Sequence, residues 1–229
     1  METIEVLDYG FVRLVDSMGG DLSIVRAARV SYDAAWRAGE DTGSDNRLIR
    51  YLWRNRHTTP FEAVTLTFEV KAPIFVLRQW HRHRTWAFNE VSARYTELPE
   101  EFYVPDPASV GAQSTINKQS RDIGAYDPNS YGVRQMQCDM VRIHHREAFG
   151  LYKELLIVGW PRELARTVLP VATYSHMFAT VNLLNLFKFL TLRSDAHAQH
   201  EIKVYADAMM ELVRAVAPVA VAAWEEPNQ

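Results

Sequence analysis

Arg78-Gln-Trp-His-Arg-His-Arg-Thr-Trp-Ala-Phe-Asn-Glu-Val-Ser-Ala-Arg-Tyr95 is the stretch around which this chain is organised. It contains four arginines and two histidines, and the apolar period of a core helix or strand does not run through it after Trp80. Crowded cations repel one another unless anions separate them, and arginine binds phosphate bidentately through its planar guanidinium. Four aromatic residues are interleaved with the charges, as in a wall that holds a flat ring: Trp80, Trp86, Phe88 and Tyr95. The stretch predicts an anion-binding site, and the alternative is a solvated basic face on a helix or loop.

Composition bounds the class of protein. The 229 residues suffice for one domain or two small ones, and we expect a single domain over residues 1–229 because no linker or internal repeat divides them. The formal net charge of −3 argues against a general nucleic-acid binder, since the basic residues are concentrated locally. A single cysteine, Cys138, excludes a disulfide within the chain and is typical of a reducing compartment. Without a long apolar segment, the sequence predicts a cytoplasmic protein that binds neither membrane nor nucleic acid.

Hydrophobic periodicity predicts both strands and helices. In the clearest strand, the apolar residues Val64, Leu66, Phe68 and Val70 alternate with the polar residues Thr65, Thr67, Glu69 and Lys71. One dry face and one wet face are typical of an antiparallel sheet. A first strand is expected over 4–15 and an extended segment over 173–181. Three helices are expected in the first half of the chain: one capped by Asp21, one opened by Asp45 and one that follows Pro73. Further helices are expected over 133–158, 162–170, 182–192 and 196–217, and Pro218 is expected to end the last of them. The polar residues 109–131 predict a mobile loop.

The histidines do not form an obvious metal site. His81 and His83 are flanked by arginines, which repel a divalent cation. His197 and His200 have a spacing that could hold a metal, but a salt-bridged helix surface is the simpler interpretation. We therefore predict that no metal is bound.

A catalytic nucleophile is also poorly supported by the sequence. Ser92 has basic residues nearby, yet arginine cannot accept a proton. Cys138 lies inside a predicted helix without an activating neighbour, which indicates a structural residue. What remains is a set of guanidiniums that can stabilise negative charge on an electron-rich ring, with the redox step left to a cofactor.

Residues 82–95 resemble the signature of the flavin-dependent thymidylate synthases, R-H-R-x-x-S-x-N-E-x-S-x-R-Y. Every fixed position matches except Ala87, which stands where the signature has serine. Three further segments resemble the same family: His57-Thr-Thr-Pro-Phe-Glu62, Ala165-Arg-Thr-Val-Leu-Pro170 and Leu192-Arg-Ser-Asp-Ala-His-Ala-Gln199. The resemblance covers nearly the whole chain and implies an α+β fold, in which long helices flank an antiparallel sheet.

The resemblance also implies an activity and a set of ligands. The activity is reductive methylation of dUMP to dTMP, with 5,10-methylenetetrahydrofolate as carbon donor, FAD as hydride carrier and NADPH as reductant. A homotetramer with sites at subunit interfaces is implied as well. The residues that match nucleotide-binding positions are Gln79, Arg82, Glu90, Ser92, Ala93, Arg94, Arg166 and Arg193. Those that match FAD-binding positions are Ser31, Thr59, Arg82, His83, Arg84, Glu90, Asn182, Lys188 and His197. His57 matches the folate side, and Arg193 matches the catalytic position that stabilises the ionised N3 of the pyrimidine.

Several alternatives stay open at this point. Taken alone, Ser31 is a helix cap and His57 a surface or packed histidine. Ala87, Leu184 and Lys188 depart from the family pattern, which leaves room for a methylase acting on UMP or another uridine nucleotide. The second class of protein is a nucleotide- or flavin-binding relative that has lost catalysis. The presence of Arg94, Arg166 and Arg193 together disfavours it.

Overall fold

The computed structural model describes residues 2–118, 120–122 and 131–226. Five strands form the main sheet: β1 (Thr3–Val6), β2 (Gly10–Met18), β3 (Thr65–Pro73), β4 (Ala87–Glu90) and β7 (Tyr174–Asn182). Their order is β1-β2-β3-β7-β4, and each neighbouring pair is antiparallel. Two short strands, β5 (Ala112–Gln113) and β6 (Arg121–Asp122), pair with each other apart from this sheet.

In the described ranges, eight α-helices accompany the sheet: α1 (Asp21–Arg29), α2 (Thr42–Arg54), α3 (Ile74–Trp80), α4 (Tyr131–Ile157), α5 (Arg162–Ala165), α6 (Leu183–Arg193), α7 (His200–Arg214) and α8 (Pro218–Glu225). The 162–170 helix is shorter than predicted, because a 3₁₀ turn, Arg166–Val168, follows α5. The α+β class with an antiparallel sheet flanked by helices is confirmed.

The alternation along β3 explains its central place in the sheet. Leu66, Phe68 and Val70 are fully buried in one core with residues of α6 and α7. Burial of such side chains stabilises a fold by roughly 1.5–3 kcal/mol each. The opposite face is polar but drier than predicted, since Glu69 is only 8% exposed. Its carboxylate accepts hydrogen bonds from Arg13 on β2 (2.8 Å from Nε), and such cross-strand pairs cover it.

The strand predicted over 4–15 is a hairpin. β1 and β2 pair antiparallel across a tight turn in which Leu7 has a φ of 60°. The first residue of β2, Gly10, has to be a glycine, because a Cβ at this position would overlap the Tyr205 hydroxyl oxygen on α7. The close approach of α7 to this turn is a tertiary constraint that apolar periodicity does not reveal.

The predicted cap at Asp21 is wrong, and so is the start of the second helix at Asp45, because α2 begins at Thr42. The carboxylate of Asp21 accepts hydrogen bonds from two backbone N–H groups at the start of α8, at 2.9 and 3.0 Å, and so caps a helix almost 200 residues away. Asp45 is buried and pairs with Arg29 at 2.6 Å. Asp41 caps α2 instead, by accepting from the Ser44 N–H at 3.0 Å. An aspartate that caps the following helix and one that binds a group far away in the sequence can stand in the same local sequence pattern.

The sequence predicts that Pro218 ends the last helix, but this residue begins α8. Proline is well tolerated in the first turn of a helix, where its missing N–H has no partner to lose. The helix predicted over 196–217 begins later, at His200, and ends at Arg214.

Two of the aromatic residues in the basic stretch belong to the core. Trp80 is fully buried and stacks on Phe189, with ring centroids 4.9 Å apart. Trp86 is 7% exposed and meets Trp80 edge to face. Phe88 stacks on Trp86, while Tyr95 is exposed. The interpretation of Trp80 and Trp86 as a wall for a ligand ring is therefore wrong, because their rings pack on Phe189 of α6 and, for Trp80, on Tyr205 of α7.

Cys138 lies inside α4, as predicted, and is 4% exposed. Burial raises the pKa of its thiol, which disfavours the reactive thiolate. The structural interpretation of Cys138 is thereby supported. Further along α4, Phe149 and Tyr152 anchor a second, smaller core.

The predicted mobile loop over 109–131 is only partly described. Residues 119 and 123–130 lie outside the described residues, and the remainder includes β5 and β6. Across the described ranges, no helix combines the length and apolar composition needed to cross a bilayer.

Candidate active site

Helix α3 presents polar residues to two different clefts. Arg78 and His81 line the first cleft together with Leu77, at a spacing that keeps them on one side of the helix. Gln79 lines the second cleft. Because successive residues of an α-helix point about 100° apart, Leu77, Arg78 and His81 lie within one arc of about 100°. Gln79 lies about 100° beyond Arg78 and so faces a different surface.

The first cleft has a volume of about 400 Å³ and is lined by four of the predicted nucleotide-binding residues: Glu90, Ser92, Ala93 and Arg166. One carboxylate oxygen of Glu90 accepts a hydrogen bond from the Ser175 hydroxyl at 2.6 Å. The Ser92 hydroxyl oxygen accepts from the backbone N–H of Arg94 at 3.3 Å. With Arg78 and Arg166 on its walls, this cleft offers guanidinium and hydroxyl donors to an anion.

The second cleft has a volume of about 530 Å³ and is lined by Gln79, Arg193 and His197 among the predicted residues. Arg193 is the last residue of α6 and is half-buried. It makes no ion pair with the described residues, so its charge is not neutralised by a nearby carboxylate of this part of the chain. His197 is exposed, and its Nδ1 lies 2.8 Å from a carboxylate oxygen of Asp195.

Two hydrogen bonds orient the Arg193 guanidinium, one to His83 and one to the backbone of Gln79. Arg193 Nε donates to His83 Nε2 at 3.1 Å, and Arg193 Nη2 donates to the carbonyl oxygen of Gln79 at 3.4 Å. The imidazole also packs edge to face on Phe189. Burial, together with the charge of Arg193, lowers the pKa of His83 to about 4. The imidazole is therefore neutral near pH 7 and able to accept the hydrogen bond.

This depressed pKa predicts an acid-dependent contribution to stability. Between pH 6.5 and 4 the unfolded chain binds a proton at His83 and the folded chain does not, so the free energy of unfolding falls as the pH falls. His83→Leu removes this contribution. After allowance for solvent screening, we expect the loss of Tm between pH 7 and pH 5 to be smaller in the variant by about 2–4 °C, measured by thermal unfolding. Equal losses in both proteins would contradict the depressed pKa.

A buried carboxylate lies next to the second cleft. Glu201, in the first turn of α7, is 1% exposed and accepts hydrogen bonds from Tyr103 at 3.0 Å, Arg121 at 2.8 Å and Gln199 at 2.8 Å. Burial alone raises the pKa of Glu201, but the hydrogen bonds from Gln199 and Arg121 lower it below the ordinary value. Gln199 in turn accepts a hydrogen bond from the Gln79 side chain.

The third cleft is the largest of the three, at about 710 Å³, and lies between α1, α2 and the segment 57–60. It is lined by two predicted FAD residues, Ser31 and Thr59, and by His57, which matches the folate side. Tyr32 and Tyr51 also line it and are 86% and 54% exposed. Exposed aromatic rings beside a cleft of this size fit a large planar ligand.

A family model described as "Thymidylate synthase complementing protein" matches residues 13–219. The chain belongs to this family. A flavin-dependent thymidylate synthase from Treponema pallidum is 49% identical over 96% of this chain and 70% of its own length. Corresponding enzymes from Rickettsia conorii and Thermus thermophilus are 45% and 47% identical, each over 98% of this chain and 79% or 78% of theirs. The resemblance found in residues 82–95 is thereby confirmed.

Solved structures are similar over nearly the whole chain. The crystal structure of the UMP/dUMP methylase PolB from Streptomyces cacaoi, bound with 5-Br dUMP, superposes with a TM-score of 0.81. It is 40% identical, and the match covers 96% of this chain and 97% of that one. The family relationship confirms the enzyme class, a flavin-dependent thymidylate synthase, and the fold predicted from the resemblance.

The described residues fit the flavin that the names of these relatives imply. The third cleft offers exposed aromatic rings, hydroxyls and Arg29. Arg82 and Arg84 are exposed, and their side chains make no hydrogen bond or ion pair with the described residues. Free guanidiniums of this kind suit the phosphates of a dinucleotide cofactor.

Several predicted site residues lie outside the three clefts. Arg94 is exposed and pairs with Glu163 on α5 at 3.4 Å. Asn182 caps α6 by accepting from the Asn185 N–H at 2.9 Å, and Lys188 donates to the Asn185 side chain at 3.3 Å. Of the two remaining departures from the family pattern, Ala87 is exposed on β4 and Leu184 is buried in α6. The positions of these residues leave their predicted roles untested.

Some residues that line the clefts were not predicted from the sequence. Arg78 and His81 are predicted only as part of a basic run, although the three-residue spacing between them is a usable signal. Gln199 stands at the end of a quoted motif without an assigned role, and nothing in the sequence pairs Glu201 with Tyr103 or Arg121. Such pairings are set by tertiary packing.

Proposed function

We propose that this chain catalyses the reductive methylation of dUMP to dTMP, with 5,10-methylenetetrahydrofolate as carbon donor, FAD as hydride carrier and NADPH as reductant. The observation that carries the proposal is the half-buried guanidinium of Arg193, which faces a cleft without an ion-pair partner among the described residues. A positive charge held in this way is suited to a ring on which negative charge develops. The family relationship and the nucleotide bound to the similar methylase support the choice of a uridine nucleotide.

The residues of the chain act by position and charge. Arg193, held by His83, stabilises negative charge on N3 and the adjacent carbonyl oxygen, which makes carbon 5 of the pyrimidine nucleophilic. Arg166 and Ser92, which line the first cleft, bind the phosphate through guanidinium and hydroxyl donors. Arg94, which matches the same set, supplies a further guanidinium from outside the cleft, where it pairs with Glu163. FAD, when bound, supplies the hydride chemistry that no side chain supplies.

No enzyme nucleophile is needed in this scheme. Ser92 donates or accepts hydrogen bonds at the nucleotide, since its described partner is a backbone N–H and not a base. The raised pKa of Cys138 and its burial in α4 remove the chain's single thiol from consideration. The remaining matches to the family assign Arg82 and Glu90 to both the nucleotide and FAD, and assign Gln79 and Ala93 to the nucleotide alone. The residues assigned to FAD are Ser31, Thr59, His83, Arg84, Asn182, Lys188 and His197. His57 is assigned to the folate side of the third cleft.

We propose that the active site is shared between subunits of a homotetramer. Within one chain, Arg166 lines the first cleft and Arg193 lines the second, so a nucleotide in either cleft meets only part of the predicted set. A long apolar face of α4 supports assembly: Val133, Met136, Met140, Ile143 and Ile157 are each more than half exposed. Exposed apolar surface of this extent is typical of a protein–protein interface. The partner that would cover this face of α4 and also complete the active site is a second copy of the chain. A cytoplasmic location belongs to the same proposal.

The test is spectroscopic. The purified protein should be yellow, its flavin should bleach with NADPH, and the colour should return on addition of dUMP together with methylenetetrahydrofolate, with dTMP as product. Turnover of UMP in preference to dUMP would identify the alternative methylase activity. A protein that binds flavin and dUMP but forms no methylated product would be the inactive relative.

A further inference from the structure

The side-chain amide of Gln79 is held in one of its two possible orientations. Its nitrogen donates to the Gln199 side-chain oxygen, and the Gln199 nitrogen donates to Glu201 at 2.8 Å. These three side chains form a relay from a buried carboxylate to the wall of the second cleft. The relay lies outside the set of residues matched to the family's site, apart from Gln79 itself.

The direction of the relay follows from the chemistry of its buried end. An ionised carboxylate only accepts hydrogen bonds, whereas a primary amide can both donate and accept. The Tyr103 hydroxyl and Arg121 occupy one oxygen of Glu201, and Gln199 occupies the other. Gln199 must therefore turn its nitrogen towards Glu201 and its oxygen towards Gln79. Gln79 must then donate to Gln199, which leaves its own oxygen facing away from the relay.

We propose that Glu201 is a positioning residue for the nucleotide: through Gln199 it fixes the oxygen of Gln79 as a hydrogen-bond acceptor in the second cleft. The proposal rests on the proposed function, because it takes a uridine nucleotide as the ligand. The Gln79 oxygen accepts no hydrogen bond from the described residues, so it can take one from a donor on the ligand. That donor is either the N3–H of the neutral pyrimidine, before negative charge develops on the ring, or a sugar hydroxyl of the nucleotide. Arg193, on the same cleft, presents only donors.

Glu201→Gln should reverse the relay without removing an atom from it. The oxygen of the new amide stays with Tyr103 and Arg121, which are both donors, and its nitrogen faces Gln199. Gln199 and then Gln79 turn over, and the second cleft receives a donor in place of an acceptor. We expect the Kd of dUMP, measured by calorimetry on the flavin-loaded enzyme, to rise about ten- to a hundredfold.

Substitutions at Gln79 separate this role from a merely structural one. In a Gln79→Leu background, Glu201→Gln should change the Kd by less than about threefold, because no amide remains to be turned. In a Gln79→Glu background, Glu201→Gln should strengthen dUMP binding, since the reversed Gln199 now donates to the carboxylate introduced at position 79. An opposite sign in two backgrounds is not expected for general damage to the fold. Equal weakening of binding by Glu201→Gln in all three backgrounds would overturn the proposal.

Tyr103→Phe is the matched control. It removes another hydrogen bond to Glu201 but leaves the carboxylate an acceptor, so the Tm should fall while the Kd of dUMP stays unchanged. If Glu201→Gln does not fold, Gln199→Leu cuts the relay in the middle. That substitution should weaken dUMP binding when residue 79 is Gln and not when it is Leu, and equal effects in both backgrounds would again reject the relay.

A sugar-modified ligand identifies the donor. If the Gln79 oxygen accepts from a sugar hydroxyl, 2',3'-dideoxy-UMP binds the wild-type enzyme more weakly than dUMP does, and Glu201→Gln abolishes the difference. If it accepts from the ring N–H, Glu201→Gln weakens both ligands to the same extent. Failure of the wild-type enzyme to bind any uridine nucleotide would count against the proposed function, whereas tight wild-type binding with additive substitutions would count against the relay alone.

Discussion

Arg193→Ala should lower kcat/KM for dUMP by about 10² or more, which corresponds to about 2.7 kcal/mol of transition-state stabilisation. The guanidinium is half-buried at the end of α6, is oriented by His83 and Gln79, and has no counter-ion among the described residues. Its interaction with the pyrimidine strengthens as negative charge develops on the ring. The loss should therefore fall mainly on kcat, in steady-state assays of dTMP formation.

Arg193→Lys should rescue little of this activity. An ammonium is a point charge and cannot both donate to His83 and present a planar fork to the ring. Binding of FAD and its reduction by NADPH should survive both substitutions, because neither step needs the pyrimidine. Arg214→Ala is a suitable control, since Arg214 is an exposed arginine at the end of α7 paired with Glu225, and it should stay within about twofold of wild type. Loss of bound flavin in a folded Arg193→Ala protein would show that this arginine serves a different ligand.

The parts of the fold that could be predicted from sequence are those in which local and tertiary forces agree. The alternation of β3 reflects its two differently buried faces, and the limits of α4 and α6 follow from apolar periodicity and, for α6, from the Asn182 cap. The basic residues of 78–95 indicated an anion site, and structural clefts lie on both sides of the helix that begins this stretch.

The remainder depended on partners distant in sequence. Asp21 has the local pattern of a cap for α1, but the helix it caps begins at Pro218. Trp80 and Trp86 stand among charges, and only the packing of α6 against the sheet shows that they are buried. Glu201 is an ordinary first-turn glutamate until Tyr103 and Arg121 are brought to it. One-dimensional periodicity carries no information about such pairings.

The division of the site residues between two clefts has a consequence for mixed oligomers. Arg166 lines the first cleft and Arg193 the second, and each is needed once in every complete site. If a site joins the first cleft of one subunit to the second cleft of another, Arg166→Ala and Arg193→Ala each inactivate the homo-oligomer. A mixed pair nevertheless contains one site in which both arginines are intact, and a second site in which both are missing.

Mixing the two inactive variants should therefore restore activity. With equal amounts and random pairing, about a quarter of the sites are intact, so specific activity should return to about a quarter of the wild-type value from about 1% or less. The dTMP assay is run on the co-expressed protein before the oligomers are separated, and two different affinity tags with two-step purification show that mixed oligomers have formed. The double variant Arg166→Ala/Arg193→Ala mixed with Arg193→Ala is the matched control and should stay inactive, because no intact second cleft is present. If mixed oligomers are isolated and remain inactive, each chain must build its site alone, and the separation of Arg166 from Arg193 would have to be closed by a movement of α3 and its flanking segments instead.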